Sequence, residues 1–466
     1  MQWAGKQVAL VGLGRSNLAV ARYLVAHRAV VTACDRKSAA ELGPLYDDLA
    51  ELGVHFQLGP TKYLRQLDRC EVVFVSPGVP KHLPEFVAAR AAGVIFSSEI
   101  NLFFELCKAP IVGVTGSSGK TTTTTMIGEI LCAAGFKTVV GGNMGRPLLE
   151  QAATLTPDSW VVLELSSFQL ELMECSPHIA LVTNIAPDHL DFHADMAEYV
   201  AAKENIFQYQ RPANWAVFNA DNPYTRKMAT KAPGRVAWFS MKEIVERGAC
   251  VVDDRVMLSR FGALTEICPV SRVSDKLIGR HNLENVLAAV AIADLVGCAP
   301  GASQDVVTSF TGVAHRLELV RSAENVSYYN DSIATTPVEA AAGLRAFSQP
   351  VVLIAGGKDK NLPWDEFSDA VAHHAKAVVL IGASKNTIAA QLQERAACDT
   401  TISVRMADTL EEAVVQAKKL AEPGDVVLLS PACASFDMFS SFEERGQRFR
   451  EIVWGLTEAS ALYHME

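Results

Sequence analysis

The sequence has few of the features that mark secreted, membrane-embedded or nucleic-acid-binding proteins. Its ten cysteines are scattered and include no Cys-x-x-Cys pair, a pattern typical of free thiols in a reducing cytoplasm. No apolar run reaches the length of a membrane span. The N-terminal residues pass at once into a strand and a glycine turn, so we expect no signal peptide.

The chain also lacks an excess of basic residues. Its formal net charge is −10, whereas binding to a nucleic-acid backbone needs a surplus of Lys and Arg. A small phosphate ligand is not excluded, because it needs only local backbone N–H groups and one or two cations. We therefore expect a cytoplasmic monomer that binds small molecules, and neither nucleic acid nor a membrane.

Length and patterning predict an α/β protein of three domains. The chain has 466 residues and is 49% hydrophobic, enough for about three domains with sizeable cores. Short apolar runs alternate with amphipathic stretches, which indicates parallel sheets covered by helices. We place a Rossmann-like domain at 1–109, with strands at 7–11, 30–34 and 72–75. A second Rossmann-like domain is placed at 313–466, with strands at 351–354, 378–381 and 426–429.

The central domain, placed at 110–312, carries the most informative stretch. A strand at 111–115 leads into Gly116-Ser117-Ser118-Gly119-Lys120-Thr121-Thr122 and a helix that runs to residue 134. Backbone N–H groups at such a helix start surround an anion, the lysine reaches terminal phosphates, and the Thr121 hydroxyl can bind Mg²⁺. Val114 stands where the usual P-loop has its first glycine. The context nevertheless favours a P-loop-type ATPase domain over an ordinary glycine turn.

The rest of the central domain is predicted from similar patterns. Strands are expected at 160–164, 179–184 and 216–219, an antiparallel excursion at 249–270, and a helix at 282–296. Glu164 ends one strand, His189 follows another, and Lys203 lies in a helical stretch at 199–207. Carboxylate and imidazole groups suit Mg²⁺, but an ammonium beside a cation does not. Spacing alone leaves open whether these three form a site.

The glycine turn after the first strand has two possible interpretations. Gly12-Leu13-Gly14 follows the first strand, with Asn17 in place of a third glycine, and Asp35 ends the next strand. That arrangement is similar to the dinucleotide fingerprint of an NAD-dependent dehydrogenase. The alternative is a Rossmann-like turn that binds another nucleotide or none.

Taken together, the motifs resemble those of the Mur ligase family over nearly the whole chain. Besides the phosphate loop, the motifs that carry the resemblance are Gly142-Asn143-Met144-Gly145, Glu164-Leu165-Ser166-Ser167-Phe168-Gln169, Asp188-His189-Leu190-Asp191, Gly279-Arg280-His281-Asn282, His315-Arg316-Leu317-Glu318, Asn330-Asp331-Ser332 and Leu429-Ser430-Pro431-Ala432-Cys433-Ala434-Ser435-Phe436-Asp437. The last favours the glutamate-adding branch of the family.

The resemblance implies a role for each domain. The first domain would bind a UDP-linked substrate, the central one ATP with two Mg²⁺ ions, and the third the incoming amino acid. UDP-substrate contacts are expected from Ser16, Asp35, Arg36, Ser76, Gly78, Asn143 and Ser166. ATP contacts are expected from the loop 116–122 and from Asn282, Arg316 and Asp331. Amino-acid contacts are expected from Thr335, Lys360, Ser435 and Phe442.

The resemblance also implies the chemistry. Lys120, Glu164, His189 and Lys203 would be catalytic, and Thr121, Glu164, His189 and Lys203 would hold metal. The matching lysine of the family is carbamylated by CO₂, which would turn Lys203 into an anionic ligand. A UDP-N-acetylmuramoyl-L-alanine carboxylate would be phosphorylated by ATP and then attacked by the amine of D-glutamate, with Arg316 making catalysis depend on domain closure.

Some alternatives stay open. Ile333 follows Asn330-Asp331-Ser332 where comparable members often have a lysine, so L-glutamate remains an alternative to D-glutamate. Pro337 changes a helix start and fits the first helical position. Other rivals are ligases for another amino acid, an NAD-dependent dehydrogenase and a non-catalytic UDP-sugar-binding protein.

Overall fold

The computed structural model describes residues 2–143, 148–187, 192–274, 277, 280–360, 362–396 and 402–456. The described residues up to Ser274, together with Arg280–Phe310, form one compact unit, and those from Thr311 onward form a second. Three sheets, each built mainly of parallel strands, organise these residues. The α/β class expected from the sequence is therefore confirmed. Among the described helices, none combines the length and apolar character needed to cross a membrane.

The first sheet is parallel and has the order β3-β2-β1-β4-β5. Its strands are β1 (Gln7–Val11), β2 (Val30–Asp35), β3 (His55–Leu58), β4 (Val72–Val75) and β5 (Ile95–Ser97). Its helices are α1 (Arg15–Ala26), α2 (Ala39–Leu42), α3 (Pro44–Glu51), α4 (Pro84–Ala91) and α5 (Glu99–Leu106). The order turns back at β1, so the loops after β1 and β4 meet at the carboxyl edge, where ligands bind in such sheets.

The central sheet has the order β14-β13-β12-β11-β10-β9-β6-β8-β7. Its strands are β6 (Ile111–Thr115), β7 (Lys137–Gly142), β8 (Ser159–Glu164), β9 (Ile179–Val182), β10 (Trp215–Asn219), β11 (Arg235–Ser240), β12 (Arg247–Val252), β13 (Arg255–Arg260) and β14 (Ala263–Pro269). The last three form the predicted antiparallel excursion. The helices are α6 (Lys120–Ala133), α7 (Ser167–Leu170), α8 (Met196–Gln208), α9 (Pro223–Ala229), α10 (Arg280–Val296) and α11 (Pro300–Ser309).

The second unit has a sheet in the order β15-β16-β20-β17-β18-β19, antiparallel only at β15–β16. Its strands are β15 (Glu318–Ala323), β16 (Val326–Asn330), β17 (Val351–Gly356), β18 (Ala375–Ile381), β19 (Ser403–Met406) and β20 (Val426–Leu429). Its helices are α12 (Pro337–Arg345), α13 (Asp365–His374), α14 (Lys385–Ala396), α15 (Leu410–Leu420) and α16 (Phe442–Gly455). Pro337 occupies the helix start, as expected, behind a Thr336–Glu339 capping box.

The strands are buried because their sequences are nearly continuous apolar runs. In β1, β4, β6 and β8 almost every side chain is shielded from solvent, as is usual for parallel strands covered on both faces. One continuous apolar cluster joins the first two sheets. Polar side chains therefore collect at the carboxyl ends of the strands, where the chain leaves the core and the candidate site residues lie.

Candidate active site

The phosphate loop joins β6 to α6 in the predicted way. Gly116 and Gly119 have φ angles of +150° and +81°, which L side chains rarely adopt. A Cβ at Gly116 would collide with the Thr183 hydroxyl, and one at Gly119 would collide with the Asn285 amide. Val114, at the position of the usual first glycine, is a buried strand residue, so the loop here begins at Gly116.

Lys120 is folded back over this loop. Its Nζ donates to the carbonyl oxygens of Gly116 at 2.9 Å and Ser117 at 3.0 Å. The ammonium therefore lies over the loop that leads into α6, whose start presents backbone N–H groups that are not bonded within the helix. Both features concentrate positive potential at one point, which suits a phosphate group.

A carboxylate lies directly beside the first turn of α6. The Thr121 hydroxyl donates to Glu164 Oε2 at 2.7 Å, and the Asn143 amide donates to Glu164 Oε1 at 3.0 Å. Glu164 ends β8 and is only 3% exposed, although Asn143 itself is exposed. A hydroxyl and a carboxylate in contact offer the hard oxygen donors that Mg²⁺ prefers, so this donor set fits the metal.

Lys203 reaches the same region from α8. It is 1% exposed, and its Nζ donates to Thr115 Oγ1 at 3.3 Å and to the Gly116 carbonyl oxygen at 3.0 Å. The ammonium also lies 4.7 Å from the centre of the Tyr199 ring. Tyr199 in turn hydrogen-bonds Ser117 through its hydroxyl at 3.0 Å. The structure thus brings Lys203, Glu164 and the phosphate loop to the ends of adjacent strands.

His189 lies outside the described residues, in the segment 188–191, and so do Met144, Gly145 and Gly279 of the quoted motifs. The expected metal and catalytic role of His189 therefore stays a prediction.

Two asparagines pack against the phosphate loop and the start of α6. Asn184 accepts the Ser118 N–H at 3.0 Å and returns a bond to the Ser118 carbonyl. Asn285 accepts from the Thr123 hydroxyl and donates to Asn282, the residue expected to contact ATP. Thr122 is buried inside α6.

The glycine turn after β1 is locked by side chains. The Leu13 N–H donates to Asp35 Oδ2 at 2.6 Å, so the acid expected to bind ligand also braces the turn. Asn17, which replaces the third fingerprint glycine, donates to the Val11 and Gly12 carbonyl oxygens. The Asn17 side chain therefore stabilises the turn by hydrogen bonds at the position where the fingerprint has its third glycine.

The turn after β4 packs against this glycine turn. A Cβ at Gly12 would lie 2.5 Å from Val79 Cγ2 and 2.9 Å from Ser76 Cβ. A small pocket at this junction brings together two of the predicted substrate contacts, Ser16 and Ser76. Its other polar or charged lining residues are Asn17, Ser98, Glu99 and Gln169. Gly78 and Arg36 are exposed at the same edge of the sheet. Ser166 caps α7 in a capping box with Gln169.

In the second unit, two of the predicted amino-acid contacts touch. Lys360 Nζ donates to the Thr335 hydroxyl at 2.9 Å, and burial lowers the pKa of Lys360. The loop carrying Lys360 pairs with the loop carrying Ser435 through reciprocal Lys358–Ala434 backbone bonds. Phe442 begins α16, and its carbonyl oxygen accepts the Ser332 hydroxyl.

Arg316 and Asp331 are placed very differently. Arg316 is exposed between two non-glycine residues with positive φ, His315 at 63° and Leu317 at 43°. Asp331 is buried, accepts from Ser430 Oγ at 2.7 Å and from the Leu317 N–H at 3.2 Å, and braces this turn. Burial raises the pKa of Asp331 to about 7, although the Ser430 hydrogen bond and the Arg316 charge oppose the shift. Their contact with ATP stays a prediction.

Sequence reasoning missed several supporting residues. Tyr199 stands four residues before Lys203 on α8, and this helical spacing is the signal that could have paired them. Arg445 was also missed. It is 1% exposed and donates to Ser332 Oγ, the Ser332 carbonyl and the Cys433 carbonyl, so it holds the loops after β16 and β20 together.

Family comparisons agree with this geometry. Residues 114–293 match the Mur ligase middle domain, residues 315–433 match the Mur ligase glutamate ligase domain, and residues 6–97 match the Mur ligase MurD-like N-terminal domain.

Curated relatives match along nearly the whole chain. A UDP-N-acetylmuramoylalanine–D-glutamate ligase from Symbiobacterium thermophilum is 50% identical over 454 residues, covering 97% of this chain and 98% of its own. The protein of the same name from Clostridium kluyveri is 44% identical over 450 residues, covering 96% of each chain.

Solved structures share the fold at lower identity. UDP-N-acetylmuramate–alanine ligase MurC from Thermotoga maritima superposes with a TM-score of 0.56 at 21% identity, covering 97% of this chain and 99% of its own. MurF from Acinetobacter baumannii gives a TM-score of 0.58 at 17% identity, covering 96% and 94%.

Proposed function

The chain belongs to the Mur ligase family, and on that premise we propose that it joins D-glutamate to UDP-N-acetylmuramoyl-L-alanine with cleavage of ATP to ADP and phosphate. The observation that carries this function is the 50% identity to a D-glutamate ligase over 97% of the chain. The enzyme thus forms an amide bond in the synthesis of a peptidoglycan precursor. We place it in the cytoplasm, where ATP is supplied.

The reaction needs ATP because a carboxylate is a poor acylating agent. Direct attack by an amine would have to expel an oxide, whereas an acyl phosphate expels phosphate. The alanyl carboxylate therefore attacks the γ-phosphorus of ATP, forming the acyl phosphate and releasing ADP. The neutral amine of D-glutamate then attacks the acyl carbon, and the C–O bond to phosphate breaks as the amine proton leaves.

The phosphate loop carries the electrostatic part of this reaction. Backbone N–H groups at the start of α6 and the Lys120 ammonium hold the ATP phosphates and offset the charge that develops during transfer. Asn184 holds the Ser118 backbone through two hydrogen bonds and so supports the shape of the loop. Little reorganisation is then needed at the moment of reaction.

Thr121 and Glu164 would hold Mg²⁺, joined by His189 and a modified Lys203. A Mg²⁺ ion held there would supply positive charge that offsets part of the negative charge of the phosphate groups. The chain's own contribution is to keep a hydroxyl and a carboxylate in contact at the end of β8. Asn143 orients the second carboxylate oxygen.

Lys203 is proposed to act as a carbamate. Its neutral amine would attack CO₂, form an N–C bond and lose a proton to water, so that a buried cation becomes an anion. The position supports this, because Lys203 is shielded from solvent and its Nζ reaches the strand end that precedes the phosphate loop. An anion there would add a hard oxygen ligand, whereas an ammonium would repel the metal.

Carbon-13 NMR of the wild-type protein equilibrated with labelled CO₂ tests this modification independently of activity. We expect a carbamate signal that is missing from Lys203→Arg. A signal of equal size in both proteins would overturn the assignment.

We propose that the second unit binds D-glutamate through Thr335, Lys360, Ser435 and Phe442. The Lys360 ammonium, supported by Thr335, supplies a cation for one carboxylate of the amino acid. We also propose that Asp35, Ser76 and Gly78 at the edge of the first sheet contact the uridine diphosphate.

Positional isotope exchange tests the acyl-phosphate mechanism. With ATP labelled at the β,γ-bridging oxygen, we expect the label to scramble when UDP-N-acetylmuramoyl-L-alanine is present and D-glutamate is omitted. Scrambling that needs no UDP substrate would contradict the mechanism.

A further inference from the structure

Lys81 is a buried lysine that none of the ligand contacts above includes. It lies in the loop between β4 and α4 and is only 4% exposed. Its Nζ donates to three carbonyl oxygens of the preceding turn, those of Ser76 at 3.1 Å, Pro77 at 3.2 Å and Val79 at 2.7 Å. Burying an ammonium costs free energy unless its N–H groups are paired. Here the three carbonyl oxygens pair them, so Lys81 stabilises the turn.

The sequence of the turn explains why a cation is needed. Pro77 and Pro80 have no backbone N–H, so the segment is poor in donors and rich in carbonyl oxygens. The Val79 N–H closes the turn on the Ser76 carbonyl at 3.1 Å. Lys81 supplies the remaining donors from a single point. The three carbonyl groups therefore converge on one ammonium.

This convergence fixes the direction of one backbone donor. The Pro77 carbonyl and the Gly78 N–H belong to the same planar peptide and point in opposite directions. Because Lys81 holds the Pro77 carbonyl, the Gly78 N–H is turned away from the buried side of the turn. Gly78 is exposed.

The turn is also fixed against the glycine turn after β1. The Ser76 N–H donates to the Val11 carbonyl at 2.9 Å, and Gly12 leaves no room for a Cβ beside Ser76 and Val79. A shift in the turn that Lys81 holds would therefore displace the neighbouring turn braced by Asp35.

We propose that Lys81 is a positioning residue for the UDP-linked substrate, holding the Ser76–Val79 turn so that the Gly78 N–H is presented to the uridine diphosphate. The inference rests on the proposed function and adds a residue that does not itself touch substrate. Loss of Lys81 then weakens substrate binding more than it slows phosphoryl transfer.

The charged groups around Lys81 affect its pKa, so the pH dependence of substrate binding is a second test. Burial lowers its pKa to about 8, Arg90 on α4 adds to the shift, and Glu171, which follows α7, opposes it. Next to Lys81 in the sequence, the exposed His82 places its Nε2 2.9 Å from Glu198 Oε1 on α8. As pH rises through about 8, the ammonium loses one donor and its charge, so its hold on the turn weakens.

The experiment compares Lys81→Met with a matched control, Lys108→Met, which removes an exposed lysine from the same domain. Turnover is measured with saturating ATP and D-glutamate while UDP-N-acetylmuramoyl-L-alanine is varied. At about pH 7 we expect Lys81→Met to raise KM by roughly tenfold, as the loss of charge-assisted hydrogen bonds predicts, with kcat changed less than about threefold.

The pH profile separates positioning from a general loss of structure. From about pH 7 to about pH 9, KM should rise severalfold in the control but stay nearly flat in Lys81→Met, which has no ammonium to lose. Ionisation of the substrate itself affects both proteins equally. A KM for Lys81→Met equal to that of the control, or a fall in kcat alone, would overturn the proposal.

Binding of UDP to the wild-type protein tests the role of Lys81 when the turnover comparison cannot. If Lys81→Met does not fold, calorimetric binding of UDP to the wild-type protein over the same pH range decides, and a dissociation constant independent of pH overturns the proposal. If the control itself fails to turn over with D-glutamate, the proposed function fails, and UDP binding still tests the role of Lys81.

Discussion

The hydroxyl of Thr121 donates to the carboxylate of Glu164 across 2.7 Å, and this contact joins the first turn of α6 to the carboxyl end of β8. One partner follows the phosphate loop and the other ends the neighbouring strand, since β6 and β8 pair directly. The contact therefore places a pair of hard oxygen atoms beside the phosphate loop.

Glu164→Gln should remove the charge while keeping the size of the side chain. We expect kcat to fall by at least about a hundredfold, because Glu164 would no longer be an anionic ligand for the Mg²⁺ that offsets the developing charge. The Mg²⁺ concentration needed for half-maximal activity should also rise. Glu266→Gln, on the exposed β13–β14 hairpin, is the control and should behave as wild type. An unchanged Mg²⁺ requirement would contradict the assignment of Glu164.

Lys203→Ala should abolish ATP turnover, with a fall of at least about a hundredfold if its carbamate is a metal ligand. Removing CO₂ from the buffer should lower wild-type activity, and bicarbonate should restore it. Lys231→Ala removes an exposed lysine that pairs with Glu204 and serves as the control. Normal turnover by Lys203→Ala would contradict a catalytic role for the Lys203 carbamate.

Gly119→Ala and Gly135→Ala form a matched pair. Both glycines have positive φ, +81° and +87°, so each substitution should cost about 1–2 kcal/mol of stability. Only at Gly119 does the new Cβ collide with Asn285, whereas Gly135 faces open space. We expect KM for ATP to rise in Gly119→Ala alone, measured beside urea unfolding of both variants. Equal KM values would show that the loop tolerates the displacement of Asn285.

Glu99 should make stability depend on pH. Burial raises its pKa to about 7, against a hydrogen bond from the Leu149 backbone. The folded protein therefore holds this proton more tightly than the unfolded chain, and stability falls as pH rises from about 4.5 to about 7.

Glu99→Gln removes the group whose ionisation lowers stability, and it keeps an oxygen that can accept the Leu149 N–H. Its free energy of unfolding should exceed that of wild type by about 1–3 kcal/mol at pH 8, and by less at pH 5. Glu85→Gln, at the exposed start of α4, measures the effect of removing a surface carboxylate. A Glu99→Gln advantage that is the same at both pH values would refute the assigned shift.

Much of the fold could be predicted because its strands are short apolar runs that end in glycine or polar residues. The strands predicted at 7–11, 72–75, 111–115 and 426–429 coincide with β1, β4, β6 and β20. The position of Glu164 followed from the same rule, since the carboxyl ends of parallel strands share one edge. The boundaries between the three domains, after residues 109 and 312, stay a prediction.

Long-range contacts could not be predicted in the same way. Lys81 would be expected in solvent, and only the two prolines around Val79 hint at carbonyl groups that need a donor. Asn17 breaks the fingerprint pattern, yet its amide makes the hydrogen bonds that stabilise the turn. The buried contacts of Asp331 with Ser430 and Leu317 depend on tertiary packing that local sequence does not encode.

Phosphate release is the decisive measurement for the proposed ligase activity. The purified protein is supplied with ATP, Mg²⁺ and UDP-N-acetylmuramoyl-L-alanine, and D-glutamate and L-glutamate are added in parallel reactions. We expect phosphate release with D-glutamate and none above background with L-glutamate, which would make Ile333 a neutral variation. Release with L-glutamate alone would overturn the stereochemistry, and silence with both would contradict the assignment of this chain as a glutamate ligase.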